Sequence, residues 1–216
     1  MVEVRKYHLS PTALIPNSPQ PLLHYPGLLS KETSSGAATV HDIYSKNGWE
    51  TRWIFRYGPT QVSHYHSKAH ECMTVLTGSA TIRFGVADTS DDLDASTHGD
   101  AREAGGVELQ ANAGDVFIIP AGVAHKTHDT TAGSTFALLT PGEGQSIPTP
   151  DPRQTLAEIE LSGFTMMGAY PKNGANWDFA VGGENEGDFA AVWNVAKPEL
   201  DPILGDAKDG LVGLWQ

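Results

Sequence analysis

Glycine and proline are the residues that most constrain this chain, because they divide its apolar stretches into short segments. There are 23 glycines and 14 prolines, and both are unfavourable inside helices and central strands. Gly58-Pro59, Gly78 and Gly85 each follow one of these segments. Many short strands separated by turns are typical of antiparallel barrels and jelly rolls. The sequence therefore predicts an all-β fold of the barrel or jelly-roll type.

The individual strands are predicted from short apolar runs. The clearest alternation places Trp53, Phe55 and Tyr57 on one face of a strand. Residues 86–106 are polar, acidic and flanked by glycine, so we expect an exposed hairpin excursion there. Strands are predicted at residues 39–57, 61–66, 71–77, 79–85, 107–111, 115–119 and 135–139.

The 216 residues are predicted to form a single domain. We expect its core at about residues 39–140, preceded by an N-terminal arm at 1–38 and followed by a C-terminal extension at 141–216. The extension contains the one predicted helix, at residues 151–161, where Asp151 is placed to cap the first turn. The aromatic remainder of the extension is expected to pack back on the barrel.

Charge and cysteine content exclude several classes of partner and site. The formal net charge is −12, from 26 acidic and 14 basic residues. Such a surface repels nucleic-acid phosphates and anionic membranes, so neither is an expected partner. Cys72 is the single cysteine, which excludes an intrachain disulfide and a cysteine-rich metal site. Without a signal-peptide pattern or an apolar stretch of membrane-spanning length, the sequence predicts a soluble cytoplasmic protein.

Three histidines and one glutamate have the spacing of a metal site. His64 and His66 are two residues apart, which places both imidazoles on one face of a strand. Glu71 lies beyond one chain reversal, and His125 follows a turn much later in the chain. Three nitrogen ligands and one carboxylate suit a divalent transition metal, namely Fe, Mn, Zn, Ni, Co or Cu, whereas calcium prefers oxygen ligands alone.

The same residues belong to two longer patterns that resemble the two motifs of the cupin superfamily. The first is Gly58-x5-His64-x-His66-x4-Glu71-x6-Gly78, and the second is Gly114-x5-Pro120-x-Gly122-x2-His125. Where the family pattern continues with asparagine, this chain has Asp129, a departure that concerns local hydrogen bonding more than metal binding. The resemblance implies a jelly-roll β-barrel with one metal ion inside, usually in a homodimer.

A looser resemblance covers most of the chain. It is to a poorly characterised bacterial and fungal branch of single-domain cupins, or monocupins. The segments that carry it are residues 15–29, 64–71, 168–178 and 200–211. This resemblance implies no particular reaction.

Several functions are compatible with this pattern. The first hypothesis is a metal-dependent enzyme acting on a small organic molecule, either an oxidoreductase of the dioxygenase type or a redox-neutral isomerase, decarboxylase or lyase. We favour the oxygenase, because the resembling ligand set is common in cupin dioxygenases. Glu71, the only anionic ligand, is the predicted catalytic residue. The alternatives are a non-catalytic small-molecule binder and a storage protein.

Five neighbouring residues are predicted to have lesser roles. Strand alternation directs His70 away from the face of Glu71, so we expect a surface or supporting histidine rather than a ligand. His128 is predicted to be exposed, and Cys72 to be buried and inert. Arg52 and Arg56 share a strand face, where they either face solvent, as we favour, or bind an anionic substrate.

Overall fold

The computed structural model describes residues 2–131 and 134–216, which fold as two antiparallel sheets. The strands are β1 (Arg5–Tyr7), β2 (Leu22–Tyr25), β3 (Trp49–Arg56), β4 (Glu71–Thr77), β5 (Ser79–Phe84), β6 (Val107–Asn112), β7 (Val116–Ile119), β8 (His125–His128), β9 (Ala137–Leu138) and β10 (Thr165–Pro171). The larger sheet has the strand order β1-β2-β7-β4-β10-β3-β9, and the smaller sheet has the order β6-β5-β8. The predicted all-β jelly roll is confirmed.

Short helices connect or cover the strands. None of the described helices is long and apolar enough to cross a membrane. The helices are α1 (Ser30–Ser34), α2 (Ala37–Lys46), α3 (Leu93–Thr97), α4 (Pro152–Ala157), α5 (Phe189–Trp193) and α6 (Leu211–Leu214).

The interior of the jelly roll is filled by apolar side chains from both sheets. Met73 and Phe117 of the larger sheet belong to the same buried cluster as Ile82 and Phe84 of the smaller sheet. The rings of Phe84 and Phe117 lie 5.6 Å apart, within the range for a favourable aromatic pair. Burial of these side chains removes apolar surface from water and holds the two sheets together.

The opposite face of the larger sheet is also buried, beneath α2 and the C-terminal helix. Tyr44 of α2 and Trp215 belong to one cluster with Cys72 and Leu76 of β4. The Tyr44 hydroxyl also forms a 2.6 Å hydrogen bond with the Thr74 hydroxyl. Strand β4 is therefore covered on both faces, which explains its nearly continuous apolar sequence. The prediction that Cys72 is buried is confirmed.

The strand predicted at residues 39–57 is wrong over its first half. Residues Ala37–Lys46 form helix α2, and strand β3 begins at Trp49. Ala37, Val40 and Tyr44 recur at intervals of three and four residues, the helical period, and all three are buried. This pattern is visible in the sequence, but the segment was predicted with the two-residue period of a strand.

The predicted strand at residues 61–66 is present only as two isolated bridges, His64 with His125 and Tyr65 with Ala180. The excursion at residues 86–106 contains helix α3 rather than a simple hairpin. The buried Lys126 ammonium binds the Asp88 carboxylate at 3.0 Å and so attaches the excursion to β8.

The predicted helix in the C-terminal extension is confirmed over Pro152–Ala157. The Asp151 carboxylate accepts a 2.9 Å hydrogen bond from the Gln154 backbone amide, as expected for a helix cap. The single-domain organisation with its core at 39–140 and the homodimer remain predictions.

Strand β10 was not predicted, although it lies between β3 and β4 in the larger sheet. Its residues Thr165–Tyr170 are buried, so the alternation that marks a half-exposed strand is missing. Gly168 in this strand lies directly against the indole of Trp53, which leaves no room for a side chain.

We expect Gly168→Ala to destabilise the protein by about 1–3 kcal/mol, the usual cost of overpacking. An added Cβ would lie 2.1 Å from Trp53 Cε2, so the indole or the strand must move. Gly58→Ala is the matched control, because its Cβ would meet its nearest atom at 3.4 Å, an ordinary contact. Urea unfolding monitored by circular dichroism measures both. Equal stability of the two variants would contradict the close packing of Trp53 on Gly168.

Candidate metal centre

Three buried histidines converge between the two sheets. One ring nitrogen from each of His64, His66 and His125 lies within 4.8 Å of the corresponding nitrogens of the other two. His64 and His125 are joined by reciprocal backbone hydrogen bonds of 3.2 and 2.8 Å, which bring a residue of the first motif beside one of the second. The structure thus brings together side chains that are 61 positions apart in the chain (64 to 125).

Each of these imidazoles is oriented by a backbone carbonyl. His64 Nδ1 lies 3.2 Å from the Val62 oxygen, and His125 Nδ1 lies 3.3 Å from the Val123 oxygen. His66 Nδ1 contacts the carbonyl oxygen of Asp178. A carbonyl can only accept a hydrogen bond, so each Nδ1 carries a proton and the neutral ring leaves Nε2 bare. Bare nitrogens held in this way are the usual ligands of a transition metal.

Glu71 opens strand β4 with its carboxylate against the histidines. Its Oε1 lies 3.4 Å from His66 Nε2, and its Oε2 lies 3.3 Å from His125 Nε2. Oε2 is buried and has no hydrogen-bond partner among the described residues. An unpaired buried carboxylate oxygen is costly, and a cation between it and the imidazole nitrogens would remove that cost. The residues present therefore fit a divalent metal ion.

Burial and local charge set the protonation of these groups. Burial, reinforced by the neighbouring imidazoles, holds the pKa of His64 well below its ordinary value. Burial also lowers the pKa of His125 to about 4, although Glu71 opposes the shift. The pKa of Glu71 is lowered despite burial, because His66, His125 and the Tyr170 hydroxyl favour the carboxylate. The site therefore offers neutral His64 and His125 together with an ionised carboxylate.

His66 differs from the other two histidines. Its pKa is raised, since the Glu71 charge and hydrogen bond outweigh the effect of burial. Because Nε2 is the nitrogen that would bind a metal ion, protonation of His66 at this atom would compete with metal binding.

Tyr170, which the sequence analysis missed, supports the Glu71 carboxylate. Its hydroxyl donates a hydrogen bond to Glu71 Oε1 and accepts one from Trp53 Nε1 at 3.2 Å. Burial, together with the Glu71 charge, holds the pKa of Tyr170 well above its ordinary value, so the hydroxyl remains a donor. Tyr170 lies two residues after Gly168 in β10, and recognising that strand was the step needed to place it.

The segment after β10 closes the site and was also missed. The Asp178 carboxylate accepts hydrogen bonds from the Ser67 amide at 2.8 Å and the Ser67 hydroxyl at 2.5 Å. These bonds hold the Asp178 carbonyl beside His66. Trp177 and Phe179 flank Asp178, and the Phe179 ring stacks on the His64 ring at a centroid distance of 4.0 Å.

A cavity of about 240 Å³ opens onto the four proposed ligands. It is smaller than the roughly 300 Å³ at which pockets for drug-sized ligands begin, and it therefore suits a small molecule. Phe136 and Phe179 are more than half exposed and stand at its solvent side. Most of the lining is aromatic, from Trp53, Phe55, Tyr57, Phe136, Tyr170, Trp177 and Phe179.

The remaining candidate residues lie outside the cavity. His70 is buried, accepts a 3.0 Å hydrogen bond from the Ala121 amide and donates one to the Val195 carbonyl. The prediction that His128 is exposed is wrong: its side chain is buried and bonds Asp129 at 3.0 Å. That burial follows from its position in β8, which pairs with β5.

Neither of the two predicted surface arginines lines the cavity in the described part of the chain. Arg52 donates to the Gln145 carbonyl at 2.5 Å, and Arg56 donates to the Thr135 carbonyl at 3.0 Å. Arg52 is largely buried, with 12% of its side chain exposed, so its predicted solvent-facing position is wrong.

Comparison with known proteins identifies the region that carries the site. Residues 59–158 match the family model described as Cupin, and this range contains all four proposed ligands. The chain is also 28% identical to the uncharacterized protein YjlB of Bacillus subtilis (strain 168) over 219 aligned positions. That alignment covers 99% of this chain and 97% of YjlB.

The solved structures that match this chain include a ketoisomerase, an oxalate decarboxylase and an 11S globulin. The QdtA 3,4-ketoisomerase from Thermoanaerobacterium thermosaccharolyticum is 13% identical, with a TM-score of 0.32 and coverage of 60% of this chain and 64% of that one. The oxalate decarboxylase of Lactobacillus farciminis is 14% identical, with a TM-score of 0.28 and coverage of 60% and 26%. Procruciferin from Brassica napus is 12% identical, with a TM-score of 0.30 and coverage of 58% and 20%. The chain thus spans less than two thirds of each of these three solved chains.

Proposed function

We propose that this chain, whose residues 59–158 match the Cupin family model, is a metal-dependent enzyme that acts on a small organic molecule. His64, His66, Glu71 and His125 would hold one divalent transition-metal ion, and the aromatic cavity would hold the substrate. The observation that carries the proposal is the convergence of three oriented imidazoles on a buried carboxylate oxygen that lacks a hydrogen-bond partner among the described residues.

The donor set limits the choice of metal. Imidazole nitrogen and carboxylate oxygen suit iron, manganese, nickel, cobalt, copper and zinc. When bound, such an ion supplies Lewis-acid or redox activation of a substrate oxygen. Four protein ligands would leave room for a substrate oxygen on an ion that takes five or six ligands, whereas a four-coordinate zinc ion would be closed.

The protein's own groups would orient the ligands and exclude water. Tyr170 holds Glu71 Oε1, which leaves Oε2 for the metal. The Asp178 carbonyl fixes the His66 ring, and the aromatic lining keeps the reacting atoms in a poorly hydrated space. In such a space electrostatic interactions are stronger than in water.

Oxidative chemistry is the reaction type that the cavity supports best. Isomerases and lyases commonly need a side chain that moves a proton near neutral pH. Apart from the four proposed ligands, the titratable groups in the described lining are Tyr57 and Tyr170. Burial and the Glu71 charge raise the pKa of both well above the ordinary value, so neither is a suitable base. We therefore favour an oxygenase over a redox-neutral enzyme.

Elemental analysis of anaerobically purified protein, followed by an oxygen-uptake screen over small organic molecules, tests this function. We expect close to one iron or other redox-active ion per chain, and oxygen uptake with at least one compound. A redox-inert ion at full occupancy would overturn the oxygenase and favour the isomerase or lyase. Full occupancy by any metal with no turnover of any compound would favour a non-catalytic binding protein.

A further inference from the structure

We propose that the cavity selects a small, flat and largely apolar molecule that carries one metal-binding oxygen group and no second charge. This inference rests on the metal function proposed above and names the substrate class for that site. It is carried by the aromatic lining, by the absence of a cationic side chain from the described lining, and by the charge of the proposed ligand set.

The lining of the cavity favours a flat apolar body. The rings of Phe55 and Phe136 stack at 5.2 Å, and those of Tyr170 and Trp177 are nearly parallel at 6.4 Å. These rings contribute to a space of about 240 Å³. Aromatic rings bind other flat rings through stacking and edge contacts in addition to the hydrophobic effect. A branched or extended aliphatic chain would make fewer stacking and edge contacts with these rings.

No lysine or arginine belongs to the cavity lining in the described residues. Arg52, the residue before Trp53, is held by the Gln145 carbonyl and by Glu50. Arg56, the residue before Tyr57, is held by the Thr135 carbonyl. A carboxylate or phosphate placed among the aromatic rings would therefore have no counter-ion, and an unpaired buried charge is strongly unfavourable.

The charge of the proposed centre allows one anionic oxygen group. Three neutral imidazoles and the Glu71 carboxylate would leave a divalent ion with a net charge of +1. One carboxylate, phenolate or enolate of the substrate neutralises that charge, whereas a second anion is left uncompensated.

The Tyr57 hydroxyl is a further polar group that a bound substrate can contact. The Tyr57 side chain lines the cavity, and its hydroxyl has no hydrogen-bond partner among the described residues. Burial, with Glu71 as the next cause, keeps the pKa of this hydroxyl high. It can therefore donate a hydrogen bond to a neutral oxygen or nitrogen of the bound molecule.

Three simple carboxylates test the inference by direct binding. The protein is loaded with cobalt(II), whose visible absorption changes when a ligand enters its coordination shell, and is titrated with benzoate, acetate and terephthalate. Acetate has the same metal-binding group without the ring, and terephthalate adds a second charge at the far side of the ring. We expect benzoate to bind at least about tenfold more tightly than acetate, because one aromatic ring is buried. It should also bind at least about tenfold more tightly than terephthalate, whose second carboxylate would have no counter-ion in the described lining.

A positive charge placed in the lining should reverse the preference for benzoate over terephthalate. Phe136 is 59% exposed, so Phe136→Arg should leave the fold intact while supplying a cation at the solvent side of the cavity. We expect this variant to gain affinity for terephthalate relative to benzoate. Val181→Arg is the matched control, because Val181 is exposed and apolar but lies outside the described lining, and its preference should be unchanged.

The outcomes separate this inference from the metal function. If cobalt binds stoichiometrically and benzoate is no better than acetate or terephthalate, the substrate class is wrong and the metal site stands. Benzoate could bind most tightly while Phe136→Arg and Val181→Arg show the same preference between benzoate and terephthalate. In that case the absence of a cation does not set the selectivity, and the charge argument is overturned. If no cobalt binds, the metal function fails and the substrate class fails with it.

Discussion

Replacing His64 or His125 with alanine is expected to remove the metal from the purified protein almost completely. Each substitution deletes one of three converging imidazole nitrogens, and the remaining donors cannot complete a stable site. The fold should persist, because the jelly-roll core is formed by other side chains. Metal content per chain after dialysis and a thermal melt of the dialysed protein measure the two effects separately.

Glu71→Gln is the informative companion to these variants, because it keeps the size of the side chain and removes only the charge. We expect weaker metal retention than in the natural protein, though not the full loss seen for the alanine variants, and a large loss of any activity. The physical reason is that Glu71 is the only anion in the proposed set and lowers the charge of the centre from +2 to +1.

The control for these substitutions is His98→Ala. His98 has 54% of its side chain exposed and is absent from the histidine cluster and from the described lining, so metal content should be unchanged. His70→Ala would be a poor neutral control, because it would leave the buried Ala121 amide without its partner. Full metal occupancy in Glu71→Gln together with metal loss in His98→Ala would show that the ligand assignment is wrong.

Tyr170→Phe is expected to lower metal affinity by about 10–100-fold, the usual cost of removing a group that orients a ligand. The substitution deletes only the hydroxyl that donates to Glu71 Oε1. Without it, the carboxylate is free to rotate and its pKa should rise, because the Tyr170 hydrogen bond is one of the causes that lower it. Competition titration with a chromogenic chelator measures the change in affinity.

Tyr57→Phe provides the matched control for Tyr170→Phe. Both tyrosines are buried and line the same cavity, but Tyr57 donates no hydrogen bond to a proposed ligand among the described residues. Metal affinity should therefore fall in Tyr170→Phe. In Tyr57→Phe it should remain within about twofold of the affinity of the natural protein, a change smaller than the usual variation of single hydrogen-bond energies. Equal affinities in the two variants would assign Tyr170 a purely structural role.

The fold class and the convergence of the four proposed ligands could be predicted because the information for both is local in sequence. The i, i+2 spacing of His64 and His66 places their side chains on one side of an extended segment, and Glu71 follows within one reversal of the chain. His125 is distant, but it belongs to a second recognisable pattern. Short apolar segments separated by glycine and proline were likewise sufficient to predict an all-β jelly roll.

Local patterns failed where a segment is buried on all sides or has an ambiguous period. Strand β10 lacks alternation because both of its faces are buried, with Met167 in one apolar cluster and Met166 in the other. Helix α2 was read as a strand, although its buried positions recur at the helical period. Both errors concern segments whose conformation is stabilised by packing rather than by intrinsic propensity.

The sequence by itself determined which residues are chemically able to bind a metal and which type of barrel would present them. Only the tertiary structure decided what surrounds that site. Tyr170 and Asp178 reach Glu71 and His66 from more than 90 residues away, with sequence separations of 99 and 112, and Trp177 and Phe179 close the cavity from the same segment. No local pattern encodes such contacts, because they arise from the order in which the strands pair and from the packing of the C-terminal segment against the barrel.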